Sequence, residues 1–248
     1  MSAPAASEAT ARAEVMIGAI HRMLDGLGHV AVGAASPIPG SAALLARALS
    51  GGRTRVSLLG SRRHNAFTDG GQELFDCAAQ GRIDAFFLSG GEIDGRGNIN
   101  LVGLGGYPAS RVRFPGSFGS AYLYHLVPRI ILFREEHTPR TLVERVDFIS
   151  AAGSSPAGEY RPGGPQALVT GLCVFAFDKA RGCFRLETTH PGISVSDVRA
   201  ATGFNYDGPE RVPETPPLSR EALKLLRSEV AAQVAETYPA FAARTWGC

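Results

Sequence analysis

Chemistry in this sequence concentrates in Phe86–Ala121, FFLSGGEIDGRGNINLVGLGGYPASRVRFPGSFGSA, where two glycine-rich turns bracket one short polar element. Glycine has no Cβ, so such turns bring backbone N–H groups close to a ligand oxygen. The first turn supplies Ser89, Gly90, Gly91 and Glu92, followed by Asn98 and Asn100; the second supplies Gly116, Ser117, Phe118, Gly119 and Ser120. These are the candidate binding residues, and their N–H and short polar groups suit a carbonyl, a carboxylate or another anion. The same stretch also reads as a hairpin without a ligand. Asp94-Gly95-Arg96-Gly97-Asn98 is a tight turn in its own right, with Asp and Asn able to bond their own backbone and Gly able to take φ > 0.

No side chain stands out as a nucleophile. Ser61 or His64, beside Arg62 and Arg63, could serve, but a serine nucleophile needs an oriented base, and the sequence offers it no recognisable partner. Arg62 and Arg63 read as solvated side chains that could also pair with phosphates. His125 sits in apolar company and reads as a packed or capping residue. Cys77, Cys173, Cys183 and Cys248 lack metal-type spacing and there is no signal-like apolar N-terminus, which points to reduced cysteines in a cytoplasmic protein without a bound metal. Lys and Arg number 25 against 23 Asp and Glu, so with no basic run the net charge of +2 argues against nucleic acid as a partner. No apolar run reaches the roughly 18 residues of a membrane span.

The elements that must hold the two turns follow from the hydrophobic pattern. Val15, Ile17, Ile20, Met23 and Leu24 predict a helix over residues 11–27, and residues 29–34 predict a strand. Ser36-Pro37-Ile38-Pro39-Gly40 then predicts a loop, because two prolines withhold their N–H donors, and a helix follows over 41–48. Further strands are expected at 54–59, 85–88, 129–133, 146–149, 167–177 and 183–189, with helices at 71–80, 121–126 and 195–201. Ser194 with Asp197 forms a capping box for the last of these. Residues 151–165, rich in Gly, Ser and Pro, predict a long loop of a kind that serves as a lid or a subunit contact. Ser219 caps a final helix carrying Leu223, Leu226, Val230 and Val234 on one side. Strands alternating with helices make this an α/β chain, with ligands expected outside the carboxyl ends of the strands.

Taken together, Ser89-Gly90-Gly91-Glu92-Ile93-Asp94, Gly97-Asn98-Ile99-Asn100 and Gly116-Ser117-Phe118-Gly119-Ser120-Ala121 resemble the B (beta) subunits of class I CoA-transferases of the glutaconate CoA-transferase type. Val146-Asp147-Phe148-Ile149, Leu168-Val169-Thr170 with Phe177-Asp178, and His190-Pro191-Gly192 through Asp197-Val198 to Thr202-Gly203-Phe204 agree in order, so the similarity covers about residues 10–235. The resemblance implies a single-domain, open, mixed and mostly parallel sheet with helices on both faces over residues 9–248, behind a disordered stretch 1–8. It also implies a separately encoded alpha subunit, in a heterodimer or heterotetramer, an acyl-CoA substrate that itself carries the coenzyme A, and no further cofactor.

The resembling transferases end their third strand on a glutamate within Glu-Ser-Gly, whose carboxylate attacks the thioester to give a glutamyl-CoA intermediate. The matching residues here are Leu59-Gly60-Ser61, and no carboxylate lies between Gly51 and Thr68, so no catalytic residue is assigned to this chain. In this it is most similar to the branch lacking the glutamate, hydrolases that open a ring of a keto-acyl-CoA in steroid breakdown with a carboxylate from the A subunit as base. Two other readings stand beside it. One is true CoA transfer, with the carboxylate supplied by the A subunit, Asp69 or Glu73; the other is a ligand-binding or scaffold subunit without catalysis.

Overall fold

The structure, a computed structural model, describes residues 8–248. The expected disordered stretch 1–8 therefore lies outside the described residues except for Glu8, which opens the first helix. The chain begins α1 (Glu8–Met23), β1 (His29–Val32), α2 (Pro37–Leu49), β2 (Arg55–Leu58), α3 (Gly70–Ala79) and β3 (Ala85–Leu88). It continues with β4 (Glu92–Asp94), β5 (Ile99–Asn100), β6 (Gly103–Leu104), β7 (Val112–Arg113), α4 (Ser120–Leu126), β8 (Arg129–Arg134) and β9 (Leu142–Val143). Then come β10 (Pro165–Thr170), β11 (Cys173–Asp178), β12 (Cys183–Thr189), α5 (Val195–Ala201), α6 (Arg220–Leu225), a π-helical turn Leu226–Val230, α7 (Ala231–Thr237) and α8 (Pro239–Trp246).

Seven strands run in the hydrogen-bonded order β12-β11-β10-β8-β3-β1-β2. Parallel pairings join β1 to β2 and to β3, and β8 to β10; antiparallel pairings join β10 to β11 and β11 to β12. This is the mixed, mostly parallel sheet expected. Contacts divide the chain into two compact units: the chain up to Glu73 with Ile83–Ala85 and Pro216–Cys248, and Leu74–Arg82 with Phe86–Thr215. Strand β3 starts in the first with Ala85 and continues in the second.

In the first unit, β1 reads HVAV and is buried along its whole length, as a parallel strand flanked on both edges requires. Met16, Ile17, Ile20 and Leu24 of the α1 region are fully buried, so the helical spacing of the sequence marks the packed face. Asp84 accepts hydrogen bonds at 2.8 Å from the N–H groups of Gly28 and His29 and fixes where β1 begins. Helix α2 starts at Pro37, four residues before the expected Ser41. The prolines fall in the first turn, where an N–H would lack a helical partner in any case, so Pro37 at the first position favours the helix rather than interrupting a strand.

In the second unit, Phe175 packs against Phe184, Phe204 and Tyr206 with ring centroids 4.9–6.0 Å apart, on the antiparallel part of the sheet. The expected strand 167–177 is two strands. Thr170 Oγ1 accepts from the N–H groups of Leu172 and Cys173 and closes a tight reversal at Gly171-Leu172 that the apolar run conceals. The expected strand 146–149 is irregular, and the extended pair is Leu142–Val143 instead. Asp147 explains this: its N–H donates to Glu92 and its carboxylate accepts from Gly105, so side chains take the place of a ladder. The capping box of Ser194 and Asp197 forms as expected, as does the Ser219 cap; the helix beyond it is broken by the π turn and followed by α8.

Candidate functional site

Both glycine turns lie in the second unit, and their frame is built by four polar side chains. Strands β4 and β5 form a hairpin, with Ile93 opposite Ile99, around the turn Asp94–Asn98. Asp94 Oδ1 accepts from the N–H groups of Arg96 and Asn98 at 3.0 and 3.1 Å, and its Oδ2 accepts from Asn98 Nδ2 at 3.0 Å. Asn98 Oδ1 in turn accepts from the N–H of Gly153 at 3.0 Å. Gly97 sits at φ +73°, with no room for a Cβ beside the Pro165 ring.

Asn100, which has no exposed surface, uses its amide completely. Its Nδ2 donates to Glu92 Oε2 at 2.7 Å and to the carbonyl of Gly103 at 2.8 Å, while its Oδ1 accepts from the N–H groups of Val102 and Gly103. Glu92, 5% exposed, also accepts from the Asp147 N–H at 2.9 Å. An amide can make four hydrogen bonds, and here all four are internal. The side chains of Asn98 and Asn100 therefore shape the loop from behind, whereas Glu92 is bonded through Oε2 alone and keeps Oε1 free among the described residues.

The structure brings the two turns together. The N–H groups of Phe114 and Gly116 donate to the carbonyls of Val102 and Leu101 at 3.0 and 3.1 Å, and the Phe114 ring occupies the space a Cβ at Gly91 would fill. Gly90 likewise faces the carbonyl of Glu92 too closely for a side chain. Gly116 is exposed at φ +109°. Phe118 lies in the left-handed region at φ +22° with 81% of its surface exposed, a conformation a bulky residue rarely adopts. Gly119 precedes α4 at φ −16°, so positive φ is not why it is glycine: a Cβ there would overlap the Phe75 ring, which also packs on Phe118 at 5.4 Å and Tyr122 at 5.6 Å. The hydroxyls of Ser89 and Ser117 make no hydrogen bond among the described residues, and that of Ser120 is buried without a partner. Three serine hydroxyls and Oε1 of Glu92 are what the frame leaves unused.

In the first unit, Leu59-Gly60-Ser61 follows β2 with Gly60 at φ +89°. Ser61 Oγ accepts from the N–H groups of Arg63 and His64 and donates to Glu236 Oε2 at 2.8 Å; Glu236 Oε1 accepts from the Arg62 N–H at 2.8 Å. The Arg62 N–H, then the Thr237 and Ser61 hydroxyls, hold the Glu236 carboxyl below its ordinary pKa. With its proton on a carboxylate and its lone pairs on two amides, Ser61 is a loop brace. Burial lowers the pKa of His64, and its Nε2 has no partner, so it does not orient Ser61. Glu236 lies outside the reach of any local sequence argument, 175 positions from Ser61.

Among the described residues no group of three or more His, Cys, Asp or Glu could hold a metal ion, and no helix is long and apolar enough to cross a membrane. Residues 28–201 match the Coenzyme A transferase family, more than half of the chain. The chain belongs to that family. Among curated family relatives, the B subunit of 3-oxoadipate CoA-transferase from Pseudomonas knackmussii is 33% identical over 61% of this chain and 62% of its own length. The IpdB subunit of the cholesterol ring-cleaving hydrolase from Rhodococcus jostii is 26% identical over 63% of this chain and 62% of its own length. The chain thus spans less than two thirds of these relatives. The crystal structure of glutaconate coenzyme A-transferase from Acidaminococcus fermentans shares the family fold at a TM-score of 0.76 and 22% identity, over 88% of this chain and 94% of that one.

Proposed function

We propose that this chain is the B subunit of a heteromeric acyl-CoA enzyme, paired with a separately encoded A subunit, and that the complex hydrolyses a ring of a keto-acyl-CoA. The substrate gains the elements of one water as a ring C–C bond breaks and a carboxylate forms, with the thioester kept. The observation that carries this reading is the end of β2. On the family resemblance Leu59 matches the position of the transferases' nucleophilic glutamate, and the one carboxylate hydrogen-bonded to this loop among the described residues, Glu236, is held by Ser61 and the Arg62 N–H. A leucine cannot attack a thioester, so a reaction that needs no acyl-enzyme fits better. The similarity to the ring-cleaving hydrolase subunit supports the same reading. The turns Ser89–Asn100 and Gly116–Ser120 then serve the acyl and pantetheine end of the substrate, with serine hydroxyls and backbone N–H groups as donors to its oxygens.

A second reading, true CoA transfer, is favoured by the 33% identity to the B subunit of a CoA-transferase. Of the two carboxylates in reach by sequence, Glu73 is engaged by the N–H groups of Thr68 and Asp69 and the Thr68 hydroxyl, which leaves Asp69 or the partner. Copurification with the A subunit and mass spectrometry of products from an acyl-CoA panel separates the two. Hydrolysis predicts a ring-opened CoA thioester and no trapping by hydroxylamine or borohydride; transfer predicts CoA moved to a second acid and a trapped acyl-enzyme. Leu59→Glu is expected to leave transfer below about a hundredth of an ordinary transferase rate, since a carboxylate misplaced by about 1 Å already loses roughly that much. Efficient transfer by that variant would overturn the hydrolase reading.

A further inference from the structure

The loop before β10 and the turn after β11 flank a cavity of about 200 Å³, open to solvent, in the second unit, lined among others by Ser154, Ser155, Glu159, Arg161, Phe177 and Lys179. None of these is among the residues of the two glycine turns. Two cations meet there with their binding capacity unfilled. Arg161 donates to the carbonyls of Ala152 at 2.6 Å and Tyr124 at 3.4 Å and to Ser155 Oγ at 3.3 Å, and lies over the Tyr124 ring at 5.4 Å. Its Nε is buried with no partner. Lys179 reaches only the carbonyls of Pro128 and Gly163, both at 3.5 Å, the outer limit of a hydrogen bond. Among the described residues neither cation forms an ion pair; Glu159 is the acidic lining residue, and it is exposed. Partial loss of solvent around their charged ends lowers the pKa of both, and the charge of Arg161 lowers that of Lys179 further, so the two repel across the cavity.

We propose that this cavity binds one oxyanion of phosphate size, either free or carried on a larger ligand. An anion between the two side chains turns their repulsion into two attractions. A guanidinium beside an ammonium matches a tetrahedral oxyanion, and the hydroxyls of Ser154 and Ser155 add donors. The size is right for the ion with a few waters, and too small for a nucleotide to be enclosed whole.

The proposal stands independently of the acyl-CoA reading and is tested on the full chain by calorimetric titration with inorganic phosphate and, separately, adenosine monophosphate, against chloride at equal ionic strength. Saturable binding is expected. Lys179→Gln should weaken it at least about tenfold, the loss of one charge-assisted hydrogen bond, and Glu159→Gln should tighten it severalfold by removing a competing carboxylate. Lys179 is exposed and loosely bonded, so its variant keeps the fold, checked by circular dichroism. Tighter binding of the nucleotide identifies a phosphate carried on a ligand, whereas equal or weaker binding identifies the free ion. No saturable binding in either titration, or a Lys179→Gln protein with unchanged affinity, would overturn the site.

Discussion

The loop after β2 and the loops after β3 begin alike, each at the carboxyl end of a buried parallel strand, yet they are stabilised in opposite ways. Residues 89–120 are held by buried side chains of their own: Glu92, Asp94, Asn98 and Asn100 bond to backbone groups within the stretch and to the N–H groups of Asp147 and Gly153, and the Phe75 ring packs against the second turn. Residues 59–64 are held from outside by a single surface carboxylate on α7. Buried polar networks in a low-dielectric interior are rigid and all-or-none, whereas a brace at the surface is screened by water and weak. The first arrangement suits a preorganised binding surface; the second leaves a loop whose shape depends on what lies beside it.

The sharpest way to break this contrast is Asn100→Ala, which removes four hydrogen bonds and leaves buried donors and acceptors unpaired. A loss of about 4 kcal/mol is expected in urea unfolding. A loss under about 1 kcal/mol would mean that the frame does not hang on this amide.

Next in size is an acid sensitivity centred on His137 in the second unit. His137 is 7% exposed, with Nδ1 at 2.7 Å from Thr170 Oγ1 and Nε2 at 2.8 Å from Thr202 Oγ1, and burial lowers its pKa to about 4. The folded state refuses a proton that the unfolded chain accepts below about pH 6.5. Stability is therefore full above that value, falls by about 3 kcal/mol as pH drops toward 4, and levels off below it. His137→Gln should flatten that slope by close to one proton; an unchanged slope would assign the effect to another group.

Gly119→Val should follow, at about 2 kcal/mol from overlap with the Phe75 ring. Because the cause is that ring and not φ, Phe75→Ala in the same chain should relieve much of the loss. Two independent, additive losses would show the explanation to be wrong. The smallest effect is Glu236→Gln, with a fall in melting temperature of at most about 3 °C, since the group is exposed. A much larger fall would erase the distinction between the two loops.

What is legible in the sequence divides along the same line. Ala85–Leu88, the Asp94–Asn98 turn and the Ser194–Asp197 cap can be read directly because the residues that cause them are neighbours. The Thr170 reversal hides inside an uninterrupted apolar run, and Pro37 reads as a strand breaker because its place in a helix depends on where the helix begins. Phe75 against Gly119, Phe114 over Gly91 and Glu236 at Ser61 are contacts made only by the fold, so no local pattern announces them. For the same reason Asn98 and Asn100 look like ligand groups: sequence shows that an amide is present and not how many of its bonds are already made.

Asn100 grips the loop almost entirely by main chain, through Val102 and Gly103, and beyond it Val112 and Arg113 of the β6–β7 ribbon are exposed. A clamp on backbone atoms is indifferent to the letters that follow. For an engineer this makes the exposed tip Gly106–Ala109 the part open to exchange, while the paired ends of the ribbon, the Gly105 N–H on Asp147 and the hinge post at Asn100 stay put.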